Sequence, residues 1–313
     1  MSTLVLSHAA SLGHDTGPGH PERPDRIRAI EHVLGQDSFE SLIRLPAPRG
    51  DHQAILRVHP ADYLAAIEKA APGAGYTQLD GDTIMSPGTM DALMHAVGGA
   101  VLAVDQVMRG DVDNAFVAIR PPGHHAERTT PMGFCFFNTA AIAVRQAQAV
   151  HKAERVAIMD FDVHHGNGTQ EIFWSDPNVL YCSTHQMPLF PGTGARNERG
   201  ECDTIVNAPL SSGDDGTAFR EACETVILPR IDAFHPDLIV ISAGFDAHRL
   251  DPLANINLVE ADFAWITARL LDLADKHCKG RVVSLLEGGY DLEGVARSAA
   301  AHVLTLMGHT PRT

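Results

Sequence analysis

RVAIMDFDVHHGNG, residues 155–168, is an apolar run that ends abruptly in charge. Val156 to Met159 are apolar on both faces, the pattern of a strand covered by helices on both sides. Two carboxylates and two imidazoles then follow within six residues: Asp160, Asp162, His164 and His165. Asp162 and His164 are two apart, so in extended chain they point to one side and can share a metal ion. The glycines at 166 and 168 permit a sharp turn into the next element. On its own an Asp-x-His pair is more often a surface ion pair or a cap, so the reading depends on the other strands.

Similar runs recur at 3–7, 115–119, 179–183, 238–243 and 281–286. Longer stretches with apolar residues at helical spacing lie between them, at 87–109, 138–150, 217–234, 259–277 and 292–307. In the first of these, Met90, Leu93, Met94, Val97, Val101 and Val104 form one stripe. This alternation predicts one α/β domain around a mostly parallel central sheet. Such sheets bind ligands in the crevice beyond the carboxyl ends of their strands.

Unusual residues follow three more of the runs. After 238–243 comes Gly244-Phe245-Asp246-Ala247. Asp246 reads either as a helix cap or as a third ligand beside Asp162 and His164. Three protein ligands with an open fourth position is the pattern of a catalytic zinc site, although a sulfur-free set also suits iron(II), cobalt or manganese. After 115–119 comes Arg120-Pro121-Pro122-Gly123-His124-His125. Two imidazoles in a constrained loop are suited to take a proton from water and return it to a leaving amine. After 281–286 comes Glu287-Gly288-Gly289-Tyr290, whose phenol can donate a hydrogen bond to a developing oxyanion.

Composition agrees with a globular enzyme. The 313 residues are 44% hydrophobic and 20% charged, with no run long enough to span a membrane. The start of the chain lacks the pattern of a signal peptide, so a cytoplasmic protein is expected. The net charge of −15 repels phosphate and disfavours nucleic acid as a partner. The five cysteines are widely spaced without Cys-x-x-Cys, which predicts buried reduced thiols rather than disulfides or a thiolate metal site.

Together these residues resemble the histone deacetylase family of the arginase/deacetylase superfamily. The match comprises Arg120–Ala126, Gly133–Asn138, Asp160–Gly168, Phe190–Gly194, Gly244–Ala247 and Glu287–Tyr290, in the family's order, with Gly19–Arg26 extending it toward the start. The His20-Pro21-Glu22-Arg23-Pro24 opening and Asn167 look like the class II branch. The resemblance implies a parallel sheet of about eight strands flanked by helices, with residues 1–313 as a single zinc-dependent catalytic domain. It implies zinc on Asp162, His164 and Asp246, and a structural potassium ion near Asp160, Ser183 and Thr184, partly through backbone carbonyls. His124 and His125 would be the histidine pair, with Asp160 facing the first and Asn167 the second. Tyr290 would be the oxyanion donor. Gly133, Phe134 and Phe190 would wall a tunnel for the substrate's aliphatic stem, Asp82 would grip its backbone, and Arg26 would line an exit for acetate. Read without the family, both phenylalanines look like core.

The substrate so implied is a slender acylated amine: acetyl-lysine in a peptide, or else an acetylated polyamine. Polyamine-selective relatives tend to carry an acidic residue where Leu253 stands, which favours the peptide. A catalytically silent acyl-lysine-binding scaffold would be expected to have lost Tyr290, a ligand or a histidine. The sequence also allows a homo-oligomer.

Overall fold

The computed structural model describes residues 1–309. Ten strands occur among the described residues: β1 (Thr3–Ser7), β2 (Ile43–Pro46), β3 (Thr77–Gln78), β4 (Ile84–Met85), β5 (Asn114–Val117), β6 (Val156–Asp160), β7 (Val179–Gln186), β8 (Ile205–Leu210), β9 (Leu238–Ala243) and β10 (Val282–Leu286). The helices are α1 (Asp25–Leu34), α2 (His52–Leu56), α3 (Ala61–Ala70), α4 (Thr89–Arg109), α5 (Thr139–His151), α6 (Asn167–Phe173), α7 (Gly216–Ala222), α8 (Leu228–Phe234), α9 (Glu260–Cys278) and α10 (Leu292–Leu306).

Eight strands form one parallel sheet in the order β2-β1-β5-β10-β9-β6-β7-β8, while β3 and β4 make a separate hairpin. Side chains alternate between two cores. Val156, Ile158, Leu238 and Val240 face the side covered by α4 and α5, and Ala157, Met159, Ile239 and Ile241 face the side of α1, α9 and α10. Residues 156–159 of β6 and 238–241 of β9 are buried on both faces and carry no polar residue to mark the pleat, which explains their unbroken apolar runs.

The strand order carries the functional consequence. β5, β10, β9 and β6 are neighbours at the centre of the sheet, so the four unusual loops, distant in sequence, leave the same edge side by side. Helix caps hold the following residues. Asn138 accepts the Ala141 N–H at 2.9 Å to start α5, and Asp291 accepts the Gly294 N–H at 2.7 Å to start α10, pinning the chain directly after Tyr290.

Several expectations need correction. The helix at 217–234 is interrupted by a π turn at Cys223–Ile227, because Pro229 has no N–H to continue the ladder. β2 and β8 fall outside the apolar runs that predict strands. They lie at the two edges of the sheet, where β2 ends on Pro46 with Ile43 and Leu45 exposed, and β8 carries Asn207 and Pro209 among its apolar residues. Four cysteines are free and buried, but Cys202 is free and exposed.

Candidate active site

Asp162, His164 and Asp246 meet where β6 and β9 end. One donor atom from each lies within 4.8 Å of the others, and all three residues are buried. His164 Nδ1 stands 3.0 Å from Asp246 Oδ2 and 3.3 Å from Asp162 Oδ1. No helix follows Asp246 directly, so it is not a cap. Burial alone would lower the His164 pKa, but the two carboxylates outweigh it and bring it to about 10. The same field that would hold a proton there favours a cation. A side chain at Gly288 would come within 2.3 Å of Asp246 Oδ2, so glycine leaves the cradle open. Two carboxylates and one imidazole with converging atoms fit a divalent metal.

The histidine pair sits beside this group, its rings 4.0 Å apart. His124 Nδ1 is 3.0 Å from Asp160 Oδ2, and the Tyr181 hydroxyl donates to the same oxygen at 3.1 Å. Burial opposes a charge on His124, but Asp160, Asp162 and Glu287 raise its pKa well above that of a free imidazole. His125 Nδ1 donates to Asn167 Oδ1 at 2.9 Å. Burial, then the charges of His124 and His164, push its pKa well below the ordinary value. Adjacent imidazoles thus differ because one faces a carboxylate and the other an amide.

A cavity of about 270 Å³ opens onto these groups, lined by Asp82, His125, Gly133, Phe134, His164, Leu189, Phe190, Leu253 and Tyr290. Larger hollows exist, such as one of about 650 Å³ bordered by Asp215, Arg220 and Trp265, but none of the paired groups above lines it. Gly133 has φ of +56°, and a side chain there would strike the His125 ring at 2.5 Å. Phe134 also has a positive φ, +69°, a strain that a non-glycine residue bears only where its surroundings hold it. Its ring meets Tyr290 edge-on at 5.7 Å. Phe190 meets His125 edge-on at 5.1 Å and is 41% exposed. Neither phenylalanine is core, contrary to their unaided reading. Asp82 lies in the β3–β4 turn, beside Thr83, whose hydroxyl accepts the Phe134 N–H at 3.1 Å. Burial holds the Tyr290 phenol well above its ordinary pKa, so it stays a donor. Asp160 and Ser183 are register partners on β6 and β7, and Thr184 follows, all buried.

Of the other residues at the site, Glu127 and His185 carry no signal in the sequence, Glu287 stands at the head of the motif that ends in Tyr290, and Arg26 is marked only by the family resemblance. Glu127 accepts the Asn167 amide N–H at 3.0 Å and so turns its oxygen toward His125. Glu287 accepts the N–H groups of Gly123 and His124 at 2.7 and 3.1 Å, tying the histidine loop to β10. Arg26 is fully buried; its Nε donates to the Gly289 carbonyl at 2.5 Å, and its guanidinium lies 4.9 Å from the centre of the Tyr290 ring. His185 Nε2 donates to the Gly194 carbonyl at 3.0 Å and steadies the loop bearing Phe190. Each is an ordinary polar residue whose role depends on where the fold places its partner.

Comparison with known proteins agrees with this geometry. A family model for the histone deacetylase domain matches residues 20–306. The chain is 39% identical over 301 residues to a "Probable deacetylase" of Archaeoglobus fulgidus, covering 94% of this chain and 83% of that one. It is 40% identical over 278 residues to a "Histone deacetylase-like amidohydrolase" of Pseudomonas aeruginosa, covering 87% and 73%. The solved structure of the HDA15 HD domain superposes with a TM-score of 0.93 at 37% identity, covering 100% of this chain and 91% of that chain.

Proposed function

This chain belongs to the histone deacetylase family, and from that premise we propose that it is a zinc-dependent amidohydrolase removing acetyl groups from acetyl-lysine side chains of proteins or peptides. The observation that carries this reading is the cavity that has His125, His164 and Tyr290 among its lining and apolar side chains along its walls. Residues 1–313 act as one catalytic domain.

Zinc held by Asp162, His164 and Asp246 would supply Lewis acidity toward the amide carbonyl and the attacking water. The chain's own residues do the rest. His125 gives its Nδ1–H to Asn167, so Nε2 is bare and takes the proton from the water. The same nitrogen returns that proton to the departing amine. His124, kept charged by Asp160, supports the negative charge that develops beside it. Tyr290 donates its phenol proton in a hydrogen bond to the tetrahedral oxyanion. Gly133, Phe134, Phe190 and Leu253 exclude water from the aliphatic stem, and Asp82 accepts from the substrate backbone. A potassium ion at Asp160, Ser183 and Thr184 is part of the same proposal; the buried carboxylate beside its register partner supports it.

Leu253 at the rim favours a peptide over an acetylated polyamine, because it offers no charge to a cationic amine. No helix among the described residues is long and apolar enough to cross a membrane, and we place the protein in the cytoplasm. The test is kcat/KM on an acetyl-lysine peptide and an acetylated polyamine side by side. Preference for the peptide is expected. Preference for the polyamine would overturn the substrate assignment while leaving the chemistry, and silence on both would overturn the deacetylase reading.

A further inference from the structure

Asp251 is 8% exposed, in the segment that runs from Asp246 to the rim residue Leu253. Its two oxygens serve two parts of the cavity wall. Oδ1 accepts the Leu253 N–H at 3.0 Å. Oδ2 accepts the N–H groups of Tyr290 at 2.7 Å and Asp291 at 3.4 Å. Among the described residues no lysine or arginine forms an ion pair with it. Burying a carboxylate without a cation is costly, and three backbone donors are what offsets the cost here.

The location matters because of what precedes Tyr290. Gly288 and Gly289 give that side of the loop little stiffness, and Gly289 has φ of +120°. Arg26 holds the carbonyls of Glu287 and Gly289. The amide of Tyr290 itself is held by Asp251. We propose that Asp251 is a positioning residue: it fixes the Tyr290 backbone, and so the phenol, at the cavity, and ties it to the Leu253 rim through one carboxylate. The inference rests on the reading of Tyr290 as oxyanion donor.

Asp251→Asn keeps an oxygen for Leu253 but offers an N–H where Tyr290 needs an acceptor. The experiment is a double-mutant cycle of Asp251→Asn with Tyr290→Phe on the zinc-loaded protein, together with amide hydrogen exchange at Tyr290. Asp251→Asn is expected to lower kcat about tenfold with KM nearly unchanged, since misplacing a reacting group is costly in rate. In the Tyr290→Phe background it should cost almost nothing further, and the Tyr290 amide should exchange faster while β10 amides do not. An equal loss in both backgrounds, a loss confined to KM, or unchanged exchange would each overturn the proposal. If Asp251→Asn does not fold, Asp251→Glu, which shifts both oxygens by a methylene, should give the same pattern. Wild-type inactivity on the peptide would refute the reaction, and the exchange measurement would then decide the role of Asp251 alone.

Discussion

The floor and the walls of the cavity are built differently. At the floor, Asp160, Asp162, His164 and Asp246 are buried at the ends of the two adjacent central strands β6 and β9, each within reach of a charged or hydrogen-bonding neighbour. Along the walls, Phe134 is half-buried on a strained backbone, Phe190 is 41% exposed, and Leu253 hangs from a loop held by one carboxylate. The floor is fixed by the sheet and by charge, and the proposed mechanism places its chemistry on these residues. The walls are a few side chains on loops, so they can change what is bound at little cost to the fold.

That contrast can be broken at the floor first. Asp246→Ala should lower bound zinc and reduce deacetylation to background; retained metal and turnover would remove Asp246 from the site. His125→Ala should cost about 10²–10⁴ in kcat, the usual worth of a general base, and His124→Ala less. The reverse order would contradict the division that Asp160 and Asn167 impose. Tyr290→Phe should fold and bind zinc but lose roughly 10²–10³ in kcat, as for one oxyanion donor.

Smaller effects belong to the walls. Leu253→Glu should shift selectivity toward an acetylated polyamine by about fivefold, the worth of an exposed ion pair of ~1 kcal/mol. An unchanged ratio would show that the rim does not select. The wall loop also has a pH-sensitive support. His59 Nδ1 donates to the Arg128 carbonyl at 3.1 Å, and Nε2 accepts the Asn138 N–H at 2.9 Å, so the ring brackets residues 128–138 and must be neutral. Burial lowers its pKa to about 4. The unfolded chain therefore binds this proton first as pH falls below the ordinary histidine value. Stability should be level above about pH 6.5 and fall by up to about 1.4 kcal/mol per unit toward pH 4 from this group alone. Urea midpoints from pH 7 to 5 should show the decline, and a His59→Gln variant should show less of it.

The same contrast governs how much of the molecule is legible in its sequence. The floor is written in short motifs, each placed after an apolar run, so Asp162, His164, Asp246, His124, His125 and Tyr290 stand out from the chain around them. Their convergence does not, because strand order depends on which helix crosses which face, and no residue pattern encodes that β5, β10, β9 and β6 are neighbours. The walls are legible only through family resemblance, since a phenylalanine in a loop looks the same whether it packs inward or lines a tunnel. Glu127 and Asp251 are silent for a third reason. Each acts on a backbone or amide group brought close only by the fold. The edge strands β2 and β8 escape the apolar pattern because edges tolerate the prolines and exposed residues that central strands exclude.

The proposed reaction needs, above all, a metal on Asp162, His164 and Asp246. The most direct measurement is hydrolysis of an acetyl-lysine peptide by the zinc-loaded protein, before chelation, after chelation and after zinc is restored. Activity that disappears with the chelator and returns with zinc, in a protein whose fold is unchanged throughout, is the predicted result. Turnover that persists in the metal-free protein would contradict it.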